Sequence, residues 1–234
     1  TYGAQNDDGT TNAALTTLIG STASANGVLV IDGPTLNYNN RGAGTDVTFR
    51  HTLDIGNNAT GAGALHLKSG GLSTFRQFTV GNTNGSFGAY RQSSGTTASV
   101  GGFLAVGLGT SQGVFNLEGG TFTMTTAPVT NGAGAGGIGV MNLSGTAVFN
   151  HNAAAANAVW LGENGAGILN ISGSAALNVP SNGVELGRSN VATASGTLNL
   201  LGGTVTANSV SKPGAAATGI LNFNGGTLAA NISN

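Results

Sequence analysis

Gly113-Val114-Phe115-Asn116-Leu117-Glu118-Gly119-Gly120-Thr121 decides how this chain folds, because its arrangement returns four times downstream. It comes back as Gly139-Val140-Met141-Asn142-Leu143-Ser144-Gly145-Thr146 and as Ile168-Leu169-Asn170-Ile171-Ser172-Gly173-Ser174. Gly196-Thr197-Leu198-Asn199-Leu200-Leu201-Gly202-Gly203-Thr204 and Gly219-Ile220-Leu221-Asn222-Phe223-Asn224-Gly225-Gly226-Thr227 complete the set. Weaker copies lie upstream: Leu29-Val30-Ile31-Asp32-Gly33, Ala64-Leu65-His66-Leu67 and Ala89-Tyr90-Arg91-Gln92. Aligned on Leu67, Gln92, Leu117, Leu143, Ile171, Leu200 and Phe223, the copies stand 25, 25, 26, 28, 29 and 23 residues apart. The step from Ile31 to Leu67 is 36 residues, which marks an insertion near the start. A period of this size is the signature of a stacked repeat.

A second element sits between the copies: Leu53-Asp54-Ile55-Gly56, Phe78-Thr79-Val80-Gly81, Leu104-Ala105-Val106-Gly107, Val159-Trp160-Leu161-Gly162 and Val184-Glu185-Leu186-Gly187. A third short run follows the Gly-Gly-Thr corner, as in Thr121-Phe122-Thr123-Met124. Each repeat therefore reads as three short strands of period-2 alternation, separated by Gly or Asn corners. Only Asn12–Ile19 carries a hint of helical period. Three strands per repeat is an odd number, so antiparallel pairing would reverse equivalent strands from copy to copy. A coil that closes after three strands instead stacks like on like about 4.8 Å apart. The expected fold is all-β: a three-sided parallel β-solenoid of about 23–29 residues per coil, right-handed by the general crossover preference. The solenoid is expected over residues 27–234, with seven to eight coils, and residues 1–26 are expected to be an N-terminal cap or donor segment.

Composition removes most other classes. Gly fills 42 of 234 positions, Pro only 4, and no three-residue Gly period exists, which excludes collagen. Hydrophobic residues make up 39% and the formal net charge is -1, so disorder is not expected. Seven basic residues are too few for electrostatic binding to nucleic acid or an anionic membrane. Without Cys there are no disulfides, thiolate zinc sites or Cys nucleophiles. No apolar run approaches the roughly 20 residues of a membrane span, and Thr1-Tyr2-Gly3-Ala4-Gln5 does not read as a signal peptide.

Alternation assigns the files. Asn116, Asn142, Asn170, Asn199 and Asn222 are expected to point outward as one amide ladder, with His66 as a substitute upstream. Leu53, Phe78, Leu104, Val159 and Val184 form one inward file, and Ile55, Val80, Val106, Leu161 and Leu186 another. Between them Asp54, Thr79, Ala105, Trp160 and Glu185 face outward. The run "Val-Gly, polar turn, Gly-x-Leu-Asn-Leu-x-Gly-Gly-Thr" resembles the autotransporter-associated β-strand repeat of secreted bacterial surface proteins, over about residues 53–234. The resemblance implies an exported β-helix passenger, adhesin or surface-fibre component, hence an extracellular or cell-surface location. It implies no activity, and the chain lacks the membrane β-barrel module of a full autotransporter.

Few residues could carry chemistry. The acids are Asp7, Asp8, Asp32, Asp46, Asp54, Glu118, Glu163 and Glu185. Glu163 and Glu185 fall on adjacent coils with Arg188 nearby, a pairing that could serve glycoside hydrolysis but reads more plainly as a surface ion pair. His51, His66 and His151 fall on different coils without zinc spacing, and Asn131–Gly137 lacks the Lys and helix of a phosphate loop. Asn58-Ala59-Thr60 and Asn84-Gly85-Ser86 match the glycosylation sequon, as chance matches in an Asn- and Thr-rich chain would. Thr121 and Thr123, with Thr204 and Thr206, resemble a Thr array that the intervening coils break. Trp160 could stack on a sugar, or pack under the corner Ala153–Ala158.

No catalytic residue, metal ligand or cofactor is expected, and the chain is read as not an enzyme. The main expectation is a structural extracellular subunit that stacks head-to-tail into a filament or surface layer. Its assembly edge would be Leu221, Phe223, Thr227, Leu228 and Ile232 at an uncapped last coil, and its partner another copy of itself. The alternative is a monomeric adhesin or carbohydrate-binding rod, meeting surface glycans through Trp160, Glu163, Glu185 and Arg188. A polysaccharide-degrading β-helix enzyme comes third.

Overall fold

The computed structural model describes residues 16–22, 24–37, 52–74, 77–83, 85–154 and 157–231, and among them every regular element is a β-strand. The first coil holds β1 (Thr16–Ile19), β2 (Asn26–Ile31) and β3 (Leu36–Asn37). The second holds β4 (Thr52–Ile55), β5 (Ala62–Leu67) and β6 (Gly71–Thr74). The third holds β7 (Gln77–Val80), β8 (Phe87–Gln92) and β9 (Thr97–Val100). β10 (Phe103–Val106), β11 (Gln112–Leu117) and β12 (Thr121–Met124) follow. β13 (Val129–Asn131), β14 (Ile138–Leu143) and β15 (Val148–His151) form the fifth. β16 (Val159–Leu161) and β17 (Ala166–Ile171) begin the sixth, after which the strands run unbroken through corners. These long strands are β18 (Ala176–Leu186), β19 (Ser195–Ser211) and β20 (Thr218–Ala230).

Every pairing is parallel and joins equivalent strands of successive coils. Three faces result. The first stacks β1, β4, β7, β10, β13, β16 and the last part of β18. The second stacks β2, β5, β8, β11, β14, β17 and the first parts of β19 and β20. The third stacks β3, β6, β9, β12, β15, the first part of β18, the middle of β19 and the last part of β20, while the end of β19, from Ser209 to Ser211, returns to the first face. The chain is thus a parallel β-solenoid of about seven turns. Leu67, Gln92, Leu117, Leu143, Ile171, Leu200 and Phe223 pair in one unbroken register, as the repeat spacing predicts.

Near the start the structure departs from the sequence reading. Thr16–Ile19 is a strand in register with Thr52–Ile55, where helical period had been expected. Four residues cannot sustain a helix, whereas a solenoid neighbour pairs the backbone groups on the side that faces it. The first coil consequently begins ahead of residue 27. The rest of the expected cap, residues 1–15, lies outside the described residues, as do His51, Asn84 and Ile232.

Inward files fill the interior with apolar side chains, and five aromatic rings from the third to fifth coils join in one buried cluster. Phe122 lies at its centre, 5.0 Å from Phe115 edge-on and 5.2 Å from Phe149 stacked. The corner between the first and second faces turns on glycine backbone. Gly56, Gly81, Gly107 and Gly132 each take a positive φ there, and each N–H carries the ladder one residue past the strand. The second residue of each second-face strand is also Gly: a Cβ on Gly113 would lie 2.1 Å from the Val80 carbonyl oxygen. This crowding explains a Gly content that composition alone leaves ambiguous.

Candidate functional site

The alternation of the second face turns Asn116, Asn142, Asn170, Asn199 and Asn222 to the outside. Asn142 donates from Nδ2 to Asn116 Oδ1, Asn170 to Asn142, Asn199 to Asn170 and Asn222 to Asn199, all at 2.7 Å. Each amide satisfies the next because the rungs stand one hydrogen-bond length apart once the side chains lean along the axis. The same file holds Arg91 and His66 in the earlier coils. Arg91 makes a two-pronged bond to Glu118 at 2.8–2.9 Å, and His66 Nε2 is hydrogen-bonded to Ser93 Oγ at 2.9 Å. On the third face Asn178 donates to Asn150 at 2.9 Å, so amides interrupt the Thr array there.

Three inward positions carry polar side chains that the alternation does not reveal. Gln92 sits in the core, accepting from Tyr90 Oη at 2.9 Å and donating to the Thr96 and Thr121 carbonyls. Asn131 occupies the file of Val106 and Leu161 and donates to the Ile168 carbonyl at 2.8 Å, so it belongs to a strand rather than to a Gly-rich corner. His151 pairs through Nε2 with the Ala127 carbonyl at 3.1 Å, and burial pushes its imidazole below the usual range. Asn58 Nδ2, in the first sequon, donates to the Ser21 carbonyl at 3.0 Å.

The middle file of the first face is not open to solvent as alternation suggests: Asp54, Thr79, Ala105 and Thr130 are all buried. Thr79 Oγ1 donates to Asp54 Oδ1, and Asn57 Nδ2 donates to Oδ2 at 3.2 Å. These bonds do not offset the loss of water, so desolvation raises the Asp54 carboxyl above its ordinary 3.8. The folded state therefore holds this proton more tightly than the unfolded chain does. The associated stability is complete below pH 3.8 and is lost as pH rises through the raised value. Asp54→Asn is isosteric, still accepts from Asn57 through its remaining oxygen, and places its NH2 toward Thr79 Oγ1, reversing that bond. It is expected to melt higher than wild type at pH 7, with the gap closing toward pH 4, in thermal scans across that range.

Farther along the same face, Trp160 pairs in register with Thr130 and Glu185. The Arg188 guanidinium lies over the indole, 3.3 Å from the ring centroid, and stands 3.9 Å from Glu185. Glu163 is partly desolvated, which raises its carboxyl despite the attraction of Arg188. The structure thus brings Trp160, Glu185 and Arg188 together, with Glu163 close enough to feel the cation. A cation on the indole satisfies the ring face that a sugar would use. Among the described residues no three His, Asp or Glu side chains converge as metal ligands would, and no helix is long and apolar enough to cross a membrane.

The C-terminal rung has a different character. Leu221, Phe223 and Leu228 are 41%, 57% and 42% exposed, although they occupy inward files. Their register partners one coil back, Leu198, Leu200 and Val205, are fully buried. Thr227 is exposed beside them. No protein-family model, curated protein or solved structure matches this chain.

Proposed function

We propose that the protein is a structural β-solenoid of the bacterial cell exterior, whose copies add end to end with the C-terminal rung of one receiving the N-terminal coil of the next. The observation that carries this reading is the last described rung, where Leu221, Phe223 and Leu228 lie open at positions that the inner coils cover. Open inward files and an unpaired strand edge favour addition of one more parallel rung. Asn26-Gly27-Val28-Leu29-Val30-Ile31 has the required pattern. Set on Thr218-Gly219-Ile220-Leu221-Asn222-Phe223, it brings Gly27 onto Gly219, Leu29 onto Leu221 and Ile31 onto Phe223. Leu29 is half-buried and Ile31 buried in the single chain. Because the contact joins unlike ends, it does not close and extends into a filament. The exterior location rests on the resemblance of the repeat to exported surface proteins.

The glycan-binding alternative has less support, since Arg188 occupies the Trp160 ring face. Negative-stain microscopy and sedimentation of the purified chain at rising concentration test the proposal. Wild type is expected to form thin rods many times longer than the roughly 35 Å of one subunit. Phe223→Lys is expected to hold it at short particles. Short, monodisperse wild-type rods at high concentration would overturn the reading.

A further inference from the structure

The outer side of the second face is built of six-residue strands stacked in unbroken register, against four or fewer residues in the strands of the other two faces in the first five coils. Its central outward file runs from Val28 to Ile220 and is apolar in all eight rungs except at Thr197. Val114, Val140 and Ile168 in the middle coils are only half-buried, and beside them Phe87 and Ile138 are 42% and 43% exposed. The Asn ladder borders this strip on one side, with its amides bound to one another along the axis. The face is also nearly free of charge: Arg91 is its one Lys, Arg, Asp or Glu, and Glu118 neutralises it.

We propose that this face is a lateral interface, on which a second copy of the chain packs with its own second face. Two features select a second copy over other occupants. The first is area. Seven steps of about 4.8 Å by six residues of about 3.3 Å give roughly 670 Å² of flat surface per copy. A standard stable interface takes about 600–1,000 Å² from each partner. The second is charge. A twofold contact sets the same patch against itself, so any net charge on the patch would repel its image. Here the apolar strip meets its image without opposing like charges, and sheet-on-sheet packing at about 10 Å covers it. This interface is independent of the end-to-end joint, and together the two would bundle single rods into paired ones.

Sedimentation equilibrium separates the cases, using Phe223→Lys as background so that end-to-end growth is suppressed. At about 100 µM, well above the micromolar constants that interfaces of this size reach, that chain is expected at twice the 22.7 kDa monomer mass. Adding Val140→Lys and Ile168→Lys is expected to weaken pairing on the order of 100-fold, by setting like charges face to face. Val140→Thr with Ile168→Thr, which keeps β-propensity and neutrality, is expected to weaken it less. Val140 and Ile168 are register partners on adjacent rungs, so the two lysines also repel within one chain and lower the monomer's melting temperature somewhat, whereas the Thr pair leaves it nearly unchanged; a cooperative melt of each variant separates lost pairing from lost fold. A Phe223→Lys chain that stays monomeric at this concentration overturns the proposal, as does a dimer that survives the double-Lys change. Monomers that instead adsorb to insoluble polysaccharide through this face would also overturn it. Failure of filament growth in wild type, with lateral dimers intact, would sink only the end-to-end reading.

Discussion

Gly107→Ala is expected to lower stability by at least about 3 kcal/mol, the sum of left-handed backbone strain and a collision with the neighbouring coil. The residue sits at φ +71°, and an added Cβ would lie 2.3 Å from the Ile138 carbonyl oxygen and 2.5 Å from its carbon. Neither coil can step aside. The Gly107 N–H is committed to the Val80 carbonyl at 2.9 Å, and Gly139, next to Ile138, packs against Gly132 in the same corner. Gly95 provides the control. It has nearly the same φ, +74°, but nothing within 4 Å of its added Cβ. Gly95→Ala is therefore expected to cost only the strain, roughly 1–2 kcal/mol. Urea denaturation of the two variants reads the difference directly. Equal midpoints would show that the corner yields, and that Gly stands there for conformation rather than for space.

Phe122→Ala is expected to cost about 3–5 kcal/mol, the range for removing a fully buried aromatic side chain without collapse of the cavity. Its ring touches the rings of Phe115 and Phe149 and lies 6.1 Å from those of Phe78 and Tyr90. Three coils therefore lose contacts at once. In a stacked repeat each coil is stabilised mainly by its neighbours, so a gap at the fourth coil weakens the joint between the two halves of the rod. Hydrogen exchange should show protection falling most in β9, β12 and β15, and less at the far rungs. Phe223→Ala, at the exposed terminal rung, is expected to cost far less. If Phe122→Ala unfolded at the wild-type denaturant midpoint, the aromatic cluster would not be the main stabilising contact of the middle coils.

Periodicity determined the fold from the sequence. A parallel solenoid brings residue i beside its equivalent one repeat later, so a pattern of Gly, apolar and Asn positions repeated at 23–29 residues is a record of its own contacts. The Asn file and the register from Leu67 to Phe223 follow from it without further information. The positions that broke the pattern could not be read this way. Gln92, Asn131 and His151 look like irregular rungs until the Thr96, Ile168 and Ala127 carbonyls are seen to receive them. Burial of Asp54 and Thr79 was hidden because alternation reports which side of a strand a residue takes, and not what lies over that side. Arg188 reaches Trp160 from 28 residues away, at a corner where coil length varies. Pattern thus determines what every coil shares, because stacking copies it from rung to rung. Burial, the partners of core polar groups and the open last rung are properties of single places, and they exist only once all the coils are stacked.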